Sequence, residues 1–436
     1  MNPLIDRARS YVDQAELYWT RQHDISVSYE DSRLQSINES DTSSLALRVI
    51  DRGRLGATYG IAPDRDRLVN EAKQAAAHGD PAPFSFAPEA RYPEVANYSD
   101  RAARLSSEDV VALCEAVRTR ILAKRPDASL RVEAGTAARH LDIETTQGAA
   151  ATHRSSEMYI WFGAPFKGAG IGVYKVAAGV TPLNPPDDLV DEFVRWYGWG
   201  EATSTPRTGR LPVVFAPNAA SLYLLPLWAG LDGDAVDKGT SPLIGRVGEA
   251  ILSPLLTVVD DPLRADDPEA RPFDDEAIPC QRRPLIHRGS LTGFLFDLRT
   301  AALQGTASTG NAVKRALFGG GTETAPAPWP MSLVVEPGDS SFDEMVADLD
   351  EGLVLLGGLG FHSGNYPQGQ FSVQAVGFHV QGGRVVGRLE NTMVSADIYT
   401  DLANVRAVSR EQRRSFGMLG ALAPYVLVDG LQVTGR

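Results

Sequence analysis

The feature that most constrains the fold is a set of short segments that alternate apolar and polar residues and are joined by turn residues. In one of them, Leu45, Leu47 and Val49 fall on one face, and the turn Asp51–Arg54 leads into a second strand. Gly382 and Gly383 supply the positive φ that another tight hairpin needs. Because strands and helices do not alternate strictly, the pattern predicts an α+β fold with antiparallel or mixed sheets and not a doubly wound one.

Helices are predicted where apolar residues recur with helical spacing behind a capping residue. Asn2 caps the first helix and Pro3 suits its first position. The other predicted helices run from about Asp64 to Gly79, Ser106 to Lys124, Asp187 to Gly198, Asn218 to Gly230 and Ser341 to Gly352. In the second helix the predicted apolar stripe is Leu68, Ala72, Ala75 and Ala76.

Two proline-containing joints, Pro81–Pro93 and Thr203–Gly209, suggest where the chain divides. We expect an N-terminal α/β subdomain in residues 1–95 and a middle subdomain in 96–208, which together form an N-terminal part with a mixed sheet. Residues 209–436 are expected to form a C-terminal domain rich in antiparallel sheet.

Composition excludes several classes of protein. The 436 residues carry 42 Lys and Arg against 55 Asp and Glu, a net charge of −13 that disfavours nucleic acid and favours basic peptides as ligands. The apolar runs are too short to cross a bilayer, and no basic segment followed by an apolar one opens the sequence. With only two cysteines, these features predict a cytoplasmic protein without membrane contact. The seven histidines are far apart, so no H-E-x-x-H zinc motif is present.

An acidic cluster is the one group of residues that could carry a separate chemistry. Its members are Asp260, Asp261, Asp274, Asp275 and Glu276. Carboxylates at this density can hold a hard cation or act as an acid–base couple. They can equally be explained by turn geometry and solvation. Cys114 falls on the apolar face of a helix, and Cys280, beside Arg282 and Arg283, lacks a neighbouring histidine in the sequence; neither is predicted to be a nucleophile.

Several stretches, taken in order, resemble the TldD/TldE (PmbA) family of zinc metallopeptidase subunits. They are LRVIDRGRLGATYG, LPVVFAPNAASLYLL, GDAVDKGTSPLIGRVGE, SPLLTVVDDP, RPFDDEAIPCQRRPLIHRGSLTGFLFDLRTAA, STGNA, VVEPGDSSFDEM and QGQFSVQAVGFHVQGGRVVG. The resemblance implies an N-terminal α/β part, a C-terminal part rich in antiparallel sheet, and cleavage of unfolded or extended peptides between two subunits.

The resemblance also implies which kind of subunit this is. The TldD kind carries H-E-x-x-x-H before a G-D-x-x-x-x-G-T-S segment, which is here Gly233–Ser241, and a later cysteine ligand. Counting back from that segment places Leu224, Leu225 and Ala229 where His, Glu and His would stand, and no cysteine follows Cys280. These side chains offer Zn²⁺ no lone pair. The chain therefore resembles the TldE/PmbA kind, a non-catalytic subunit without a cofactor of its own, whose TldD-like partner holds the zinc.

Three functions stay open at this point. The first is the accessory subunit, in a heterodimer with a TldD-like chain or as a homodimer when alone. The second is a stand-alone enzyme that uses the acidic cluster. The third is a protein-binding modulator, as an older family name concerning DNA gyrase suggests. Small polar loop and strand residues are candidates for the face that meets a partner or a peptide substrate: Ser308, Thr309, Gly310, Asn311, Gln370, Phe371 and Ser372.

Overall fold

The computed structural model describes residues 2–31, 33–60, 65–317, 319–360, 364–415 and 419–435. Its helices are α1 (Pro3–Ala8), α2 (Arg65–Ala76), α3 (Ser107–Lys124), α4 (Asp187–Trp199), α5 (Ser221–Leu231), α6 (Gly233–Asp237), α7 (Leu298–Leu303), α8 (Phe342–Ala347) and α9 (Ile398–Asp401). Short 3₁₀ turns occupy Ala102–Arg104, Pro217–Ala219, Tyr366–Gln368 and Leu402–Asn404. None of the helices in these ranges is long and apolar enough to cross a membrane.

The strands fall into two large sheets and one small one. Those of the N-terminal sheet are β1 (Gln14–Glu30), β2 (Arg33–Asp51), β3 (Arg54–Gly60), β4 (Arg131–Thr145), β5 (Ala150–Pro165) and β6 (Gly172–Gly179). Those that follow are β7 (Thr203–Ser204), β8 (Gly209–Phe215), β9 (Val258–Asp260), β10 (Arg283–His287), β11 (Ser290–Leu291), β12 (Ala312–Val313), β13 (Ala327–Pro328), β14 (Leu333–Val335), β15 (Glu351–Leu359), β16 (Gln370–Gln381), β17 (Arg384–Leu389), β18 (Thr392–Asp397), β19 (Val405–Ser415) and β20 (Ala421–Gly435).

The N-terminal sheet has the order β3-β2-β1-β4-β5-β6, and every neighbouring pair is antiparallel. The expectation of a mixed sheet in this part is wrong in that detail, because each connection between neighbours returns as a hairpin or as a crossover that reverses direction. The expectation of short strands is also wrong, since β1 and β2 have 17 and 19 residues. The predicted turn after β2 is confirmed: Arg52 and Gly53 have φ of 51° and 74°.

Helices cover one face of this sheet. Asn2 accepts a hydrogen bond from the Leu4 amide and caps α1, as predicted. In α2 the buried residues include Leu68, Val69, Ala72 and Ala76, whereas Ala75 is exposed, so three of the four predicted stripe residues are buried. Ser106 and Asp109 form a capping box at the start of α3, and the buried face of α3, which includes Cys114, packs against β1 and β4.

The second large sheet is the mixed one. It follows the order β11-β10-β9-β14-β20-β8-β15-β16-β17-β7, with β18 and β19 also paired to β20. Three of its pairings are parallel: β14 with β20, β15 with β8, and β17 with β7. The predicted hairpin at Gly382 and Gly383 is confirmed, with Gln381 paired to Arg384. The mixed α+β architecture as a whole agrees with the prediction.

Two predicted boundaries differ for reasons of packing. Helix α8 ends at Ala347, and Gly352 lies in β15 with Pro212 so close that a Cβ would meet its carbonyl oxygen at 2.8 Å. The Pro81–Pro93 segment has no regular structure, yet Phe86 and Ala87 are buried, so it packs as part of the fold. Because β1 pairs with β4, residues 1–95 and 96–208 share one sheet; the boundaries at 95 and 208 stay a prediction.

Candidate functional site

A cleft of about 670 Å³ lies between the N-terminal sheet and loops of the C-terminal part. Its floor is one face of the sheet, and its other wall is formed by segments 268–271, 313–315 and 329–331. Side chains of one strand alternate between the two faces of a sheet, so the floor takes every second residue of each strand. Polar side chains predominate on it: Thr20, Gln22, Asp24, Thr42, Ser44, Arg139, His153 and Ser155.

The pairing register brings these side chains together. Gln22 lies opposite Thr42 on one side and Arg139 on the other, and Arg139 lies opposite Ser155. Toward the C-terminal part the same face turns apolar, where Tyr18 packs with Phe273. The sheet is thus anchored at one end and open above the cleft at the other.

Charged groups on both walls give the cleft a mixed character. Arg139 pairs with Glu157 at 2.8 Å, and Arg271 pairs with Asp275 at 2.9 Å. Glu269 points into the cleft with its side chain exposed, but the surrounding protein and the charges of Asp267 and Glu157 raise its pKa. Such a lining offers both hydrogen-bond donors and acceptors to a bound chain.

His153 is the imidazole on the cleft floor. Its ring meets the ring of Phe273 edge-on, with centroids 6.3 Å apart. Burial lowers the pKa of His153 to about 4, and the nearby charge of Arg271 acts in the same direction. The imidazole is therefore neutral at neutral pH.

Helix α5 reaches the cleft through a pair of tryptophans. The indole of Trp228 on α5 packs against that of Trp329, with ring centroids 4.3 Å apart. Trp228 Nε1 also donates a hydrogen bond of 3.3 Å to the Pro328 carbonyl oxygen. Because Trp329 lines the cleft, α5 contacts the cleft wall through this pair of indoles.

The residues of α5 do not fit a zinc ion. Leu224 and Leu225 are 1% and 2% exposed and belong to the largest apolar core, and Ala229 is half-buried. Aliphatic side chains provide neither a ligand atom nor a base that could activate water. Across the described ranges, no group of three or more His, Cys, Asp or Glu side chains is arranged so that it could hold a metal ion.

The acidic cluster is occupied by hydrogen bonds. Asp260 is buried and accepts from the amides of Met331 and Ser332 at 2.9 and 2.7 Å and from Asn311 Nδ2 at 2.6 Å. Burial raises the pKa of Asp260 to about 6, although these hydrogen bonds oppose the shift. The neighbouring Asp261 is half-buried and pairs with Arg282 at 3.2 Å.

The other carboxylates of the cluster hold separate loops together. Asp274 accepts from the amides of Glu276, Ile278 and Ala312 at 2.9, 2.9 and 3.0 Å. Asp275 accepts from the Lys314 amide at 2.6 Å. Glu276 accepts from the Leu298 amide at 2.7 Å and from Arg48 at 3.0 Å. These contacts point the carboxylates at different backbone segments, which explains their burial without a bound cation.

The candidate loop Ser308–Asn311 is built into the structure. Thr309 exchanges hydrogen bonds with Phe296, and Ser308 Oγ donates to the same Phe296 carbonyl at 3.1 Å. Gly310 has φ of 72°, and a Cβ there would meet the Pro279 carbonyl oxygen at 2.6 Å. Thr309, Gly310 and Asn311 are buried, and only Ser308 is partly reachable. A contact with a partner through this loop stays a prediction that depends on Ser308.

The candidate strand residues Gln370–Ser372 open β16. Gln370 is exposed, Phe371 is 3% exposed and lies in the core, and Ser372 is half-buried with its Oγ 2.8 Å from Ser395 Oγ. The contact face predicted here therefore reduces to Gln370 and part of Ser372, and it also stays a prediction. The cleft residues Thr20, Arg139, His153 and Trp329 were not among the predicted site residues. Alternating small polar residues on β1 and β2 are a sequence signal that could have indicated Thr20; Arg139, His153 and Trp329 lie outside these two strands.

Comparison with known proteins defines the family. A model described as the PmbA/TldA metallopeptidase C-terminal domain matches residues 208–435, and one described as PmbA/TldA metallopeptidase domain 1 matches residues 15–78. The chain therefore belongs to the PmbA/TldD metallopeptidase family.

Its relatives include metalloproteases of archaea. One from Methanothermobacter thermautotrophicus is 29% identical over 221 residues, which is 50% of this chain and 46% of that protein. Another from Archaeoglobus fulgidus is 22% identical over 418 residues, 93% of each chain. The chain spans about half the length or less of the first three curated relatives that it matches.

The fold also matches a solved structure. The crystal structure of TldE from Thermococcus kodakarensis superposes with a TM-score of 0.92 over 99% of both chains at 22% sequence identity. This likeness establishes the fold.

Proposed function

We propose that the chain is a non-catalytic, TldE/PmbA-like subunit of a cytoplasmic zinc metallopeptidase that acts on unfolded or extended peptides. A TldD-like partner supplies the zinc in a heterodimer, and the chain associates with itself when it is alone. The observation that carries the proposal is the apolar burial of Leu224 and Leu225 on α5, at the positions where that family's metal helix needs ligands.

The cleft supports a role in holding the substrate. Its floor is a row of polar side chains along extended strands, and its opposite wall presents Trp329, Pro330 and Met331. A peptide lying along such a floor can exchange hydrogen bonds at many positions while its side chains contact the apolar residues of the opposite wall. The remaining candidates for the face that meets the partner or the peptide are Gln370, which is exposed, and Ser308 and Ser372, which are half-buried.

The stand-alone enzyme is the weaker alternative. It requires the acidic side chains to converge on a metal or a substrate, but Asp260 and Asp274 already accept three hydrogen bonds each. Occupied carboxylates of this kind favour a structural role.

The test is co-purification with a TldD-like chain from the same source, followed by zinc analysis and an assay with an unstructured peptide. We expect one zinc per pair and cleavage that disappears when the partner's metal ligands are replaced. The matched control is Ala229→Ser in this chain, which should leave zinc content and cleavage unchanged. Zinc in the isolated chain with chelator-sensitive cleavage, or no association with the partner, would overturn the proposal.

A further inference from the structure

The outer edge of β2 is longer than the strand that covers it. β3 pairs only with residues 45–51 of β2, whereas β1 pairs with β2 from residue 33 to residue 50. Residues 33–44 therefore have β1 on one side, and no strand in the described ranges pairs with their other side. At about 3.3 Å per residue this edge is roughly 40 Å long, enough to template an added strand.

A β-bulge shapes one face of this edge. The register shifts between Ser28 and Tyr29, so that Tyr29 lies opposite Leu34 while Val27 lies opposite Ile37. The shift places Leu34 and Ile37 on the same face, although they are three positions apart. Both are 47% exposed, which leaves two apolar side chains open beside the unpaired backbone.

Two carboxylates continue the same face. Glu39 lies opposite Ile25 and Asp41 lies opposite His23. Their side chains are 61% and 86% exposed, and the His23 ring lies between them, 3.7 Å from Glu39 Oε1 and 2.9 Å from Asp41 Oδ1. Opposite charges directly across two strands stabilise the pairing, and like charges oppose it.

The other face of the edge carries neither charged nor large apolar side chains between residues 36 and 42. Ser36, Asn38, Ser40 and Thr42 alternate along it and are small and polar. Thr42 and Ser44 also line the cleft described above. A strand added along residues 33–41 would therefore end beside the cleft, close to residue 45, where β3 takes over the edge of β2.

We propose that residues 33–41 of β2 bind an extended peptide as an added antiparallel strand, with basic residues opposite Asp41 and Glu39 and apolar residues opposite Ile37 and Leu34. The proposal rests on the proposed function. It adds where the peptide binds and which peptide residues the site prefers. Main-chain hydrogen bonds supply the affinity, and the alternating charged and apolar positions supply the selectivity.

A second copy of this chain would bring carboxylates of its own to the edge. An antiparallel pairing centred on residue 40 would place Glu39 of each copy opposite Asp41 of the other, and the edge offers them only Arg33 as a basic residue. Arg33 lies opposite Glu30 and so projects to the other face of the sheet. The carboxylates thus make the edge selective for basic strands and oppose pairing between copies.

The test uses the full chain and the fluorescein-labelled peptide TKTKTVTLT, whose lysines fall opposite Asp41 and Glu39. The comparison peptide TETETVTLT differs only in charge. Fluorescence anisotropy gives the affinities, and hydrogen exchange with mass spectrometry locates the protected amides. We expect the lysine peptide to bind about tenfold more tightly, on the scale of two cross-strand charge pairs, and to protect residues 33–41.

Charge reversal provides the variant. Glu39→Lys with Asp41→Lys should lose the preference and bind the glutamate peptide more tightly instead. Asp343→Lys with Asp348→Lys, at side chains 75% and 70% exposed in the C-terminal part, changes the net charge equally and should keep the original preference.

Three results would overturn the proposal. They are equal binding of both peptides, protection confined to another segment, and a dimer of this chain that the charge reversal disrupts. Because the exchange experiment uses the unmodified chain, it decides the point even if the variant folds poorly. If the chain associates with its zinc-bearing partner but does not bind these peptides, the inference about β2 is wrong while the proposed function stands.

Discussion

Arg48 of the N-terminal sheet donates a hydrogen bond of 3.0 Å to Glu276 of the C-terminal part, and both side chains are buried. The same guanidinium binds Glu16 through bonds of 2.8 and 2.9 Å. Burial opposes the charge on Arg48, but the two carboxylates outweigh it and raise the pKa of Arg48. One arginine thus ties the N-terminal sheet, which forms the floor of the cleft, to the C-terminal part.

Replacing Arg48 should be strongly destabilising. Arg48→Met leaves Glu16 and Glu276 buried without a cation, and breaking such a pair costs about 3–5 kcal/mol. Urea denaturation should show this loss in the free energy of unfolding. The control is Arg104→Met, since the Arg104 side chain is 81% exposed and its pair with Asp100 spans 3.8 Å. A similar, small effect of both changes would contradict a structural role for the buried pair.

The acidic cluster can be tested with two adjacent residues. Asp260→Ala removes the acceptor of three hydrogen bonds and should lower the free energy of unfolding by about 2–4 kcal/mol, because buried amides lose their partner. Asp261→Ala removes a half-buried ion pair and should cost less than about 1 kcal/mol. Calorimetric titration with Mg²⁺ or Ca²⁺ should detect no binding that Asp260→Ala abolishes. Such binding would revive the stand-alone enzyme.

Helix α5 should resist conversion into a metal helix. Leu224→His puts a polar ring into a position that is 1% exposed, so a loss of about 3 kcal/mol or more is expected from lost packing and desolvation. Ala229→His, at a half-buried position, should cost less. Thermal unfolding of the two variants gives the comparison. An equal decrease in unfolding temperature for both variants would contradict the prediction that burial of Leu224 in the core prevents its replacement by histidine.

His153 should make stability depend on pH on the acid side. Its pKa is about 4 in the folded chain, against 6.5 for an unperturbed imidazole. Between these values the unfolded chain binds a proton that the folded chain does not, so this contribution is complete above about pH 6.5 and is lost as the pH falls toward 4. His153→Leu should reduce the slope of unfolding free energy against pH in that window. An NMR titration that places the His153 pKa near 6.5 would refute the prediction.

Local features of the fold could be predicted because they depend on neighbouring residues. The cap at Asn2, the cap at Ser106 and the turn at Arg52 and Gly53 each require particular residues at fixed positions, and each is present as expected. The antiparallel N-terminal sheet could not be predicted in the same way. The partner of β1 on its second side is β4, more than a hundred residues later, and no short pattern specifies that pairing.

In the candidate site too, features that depend on single residues could be predicted, and features that depend on distant segments could not. The family resemblance selects Leu224, Leu225 and Ala229, and their residue types then predict that they offer no metal ligand, because ligand chemistry belongs to the side chain. The hydrogen bonds of Asp260, and the one from the Ala312 amide to Asp274, could not be predicted, since their donors come from segments tens of residues away. The cleft depends on how the N-terminal sheet meets loops that are distant in the sequence, so no local sequence pattern predicts it.

The tie between Arg48 and Glu276 also limits what can enter the cleft. Widening the cleft would move the N-terminal sheet away from the C-terminal part and would separate the buried ion pair between Arg48 and Glu276. The pair therefore resists any widening of the cleft. Under the proposed function, a cleft of fixed width would select a substrate by its cross-section, before any side chain is recognised.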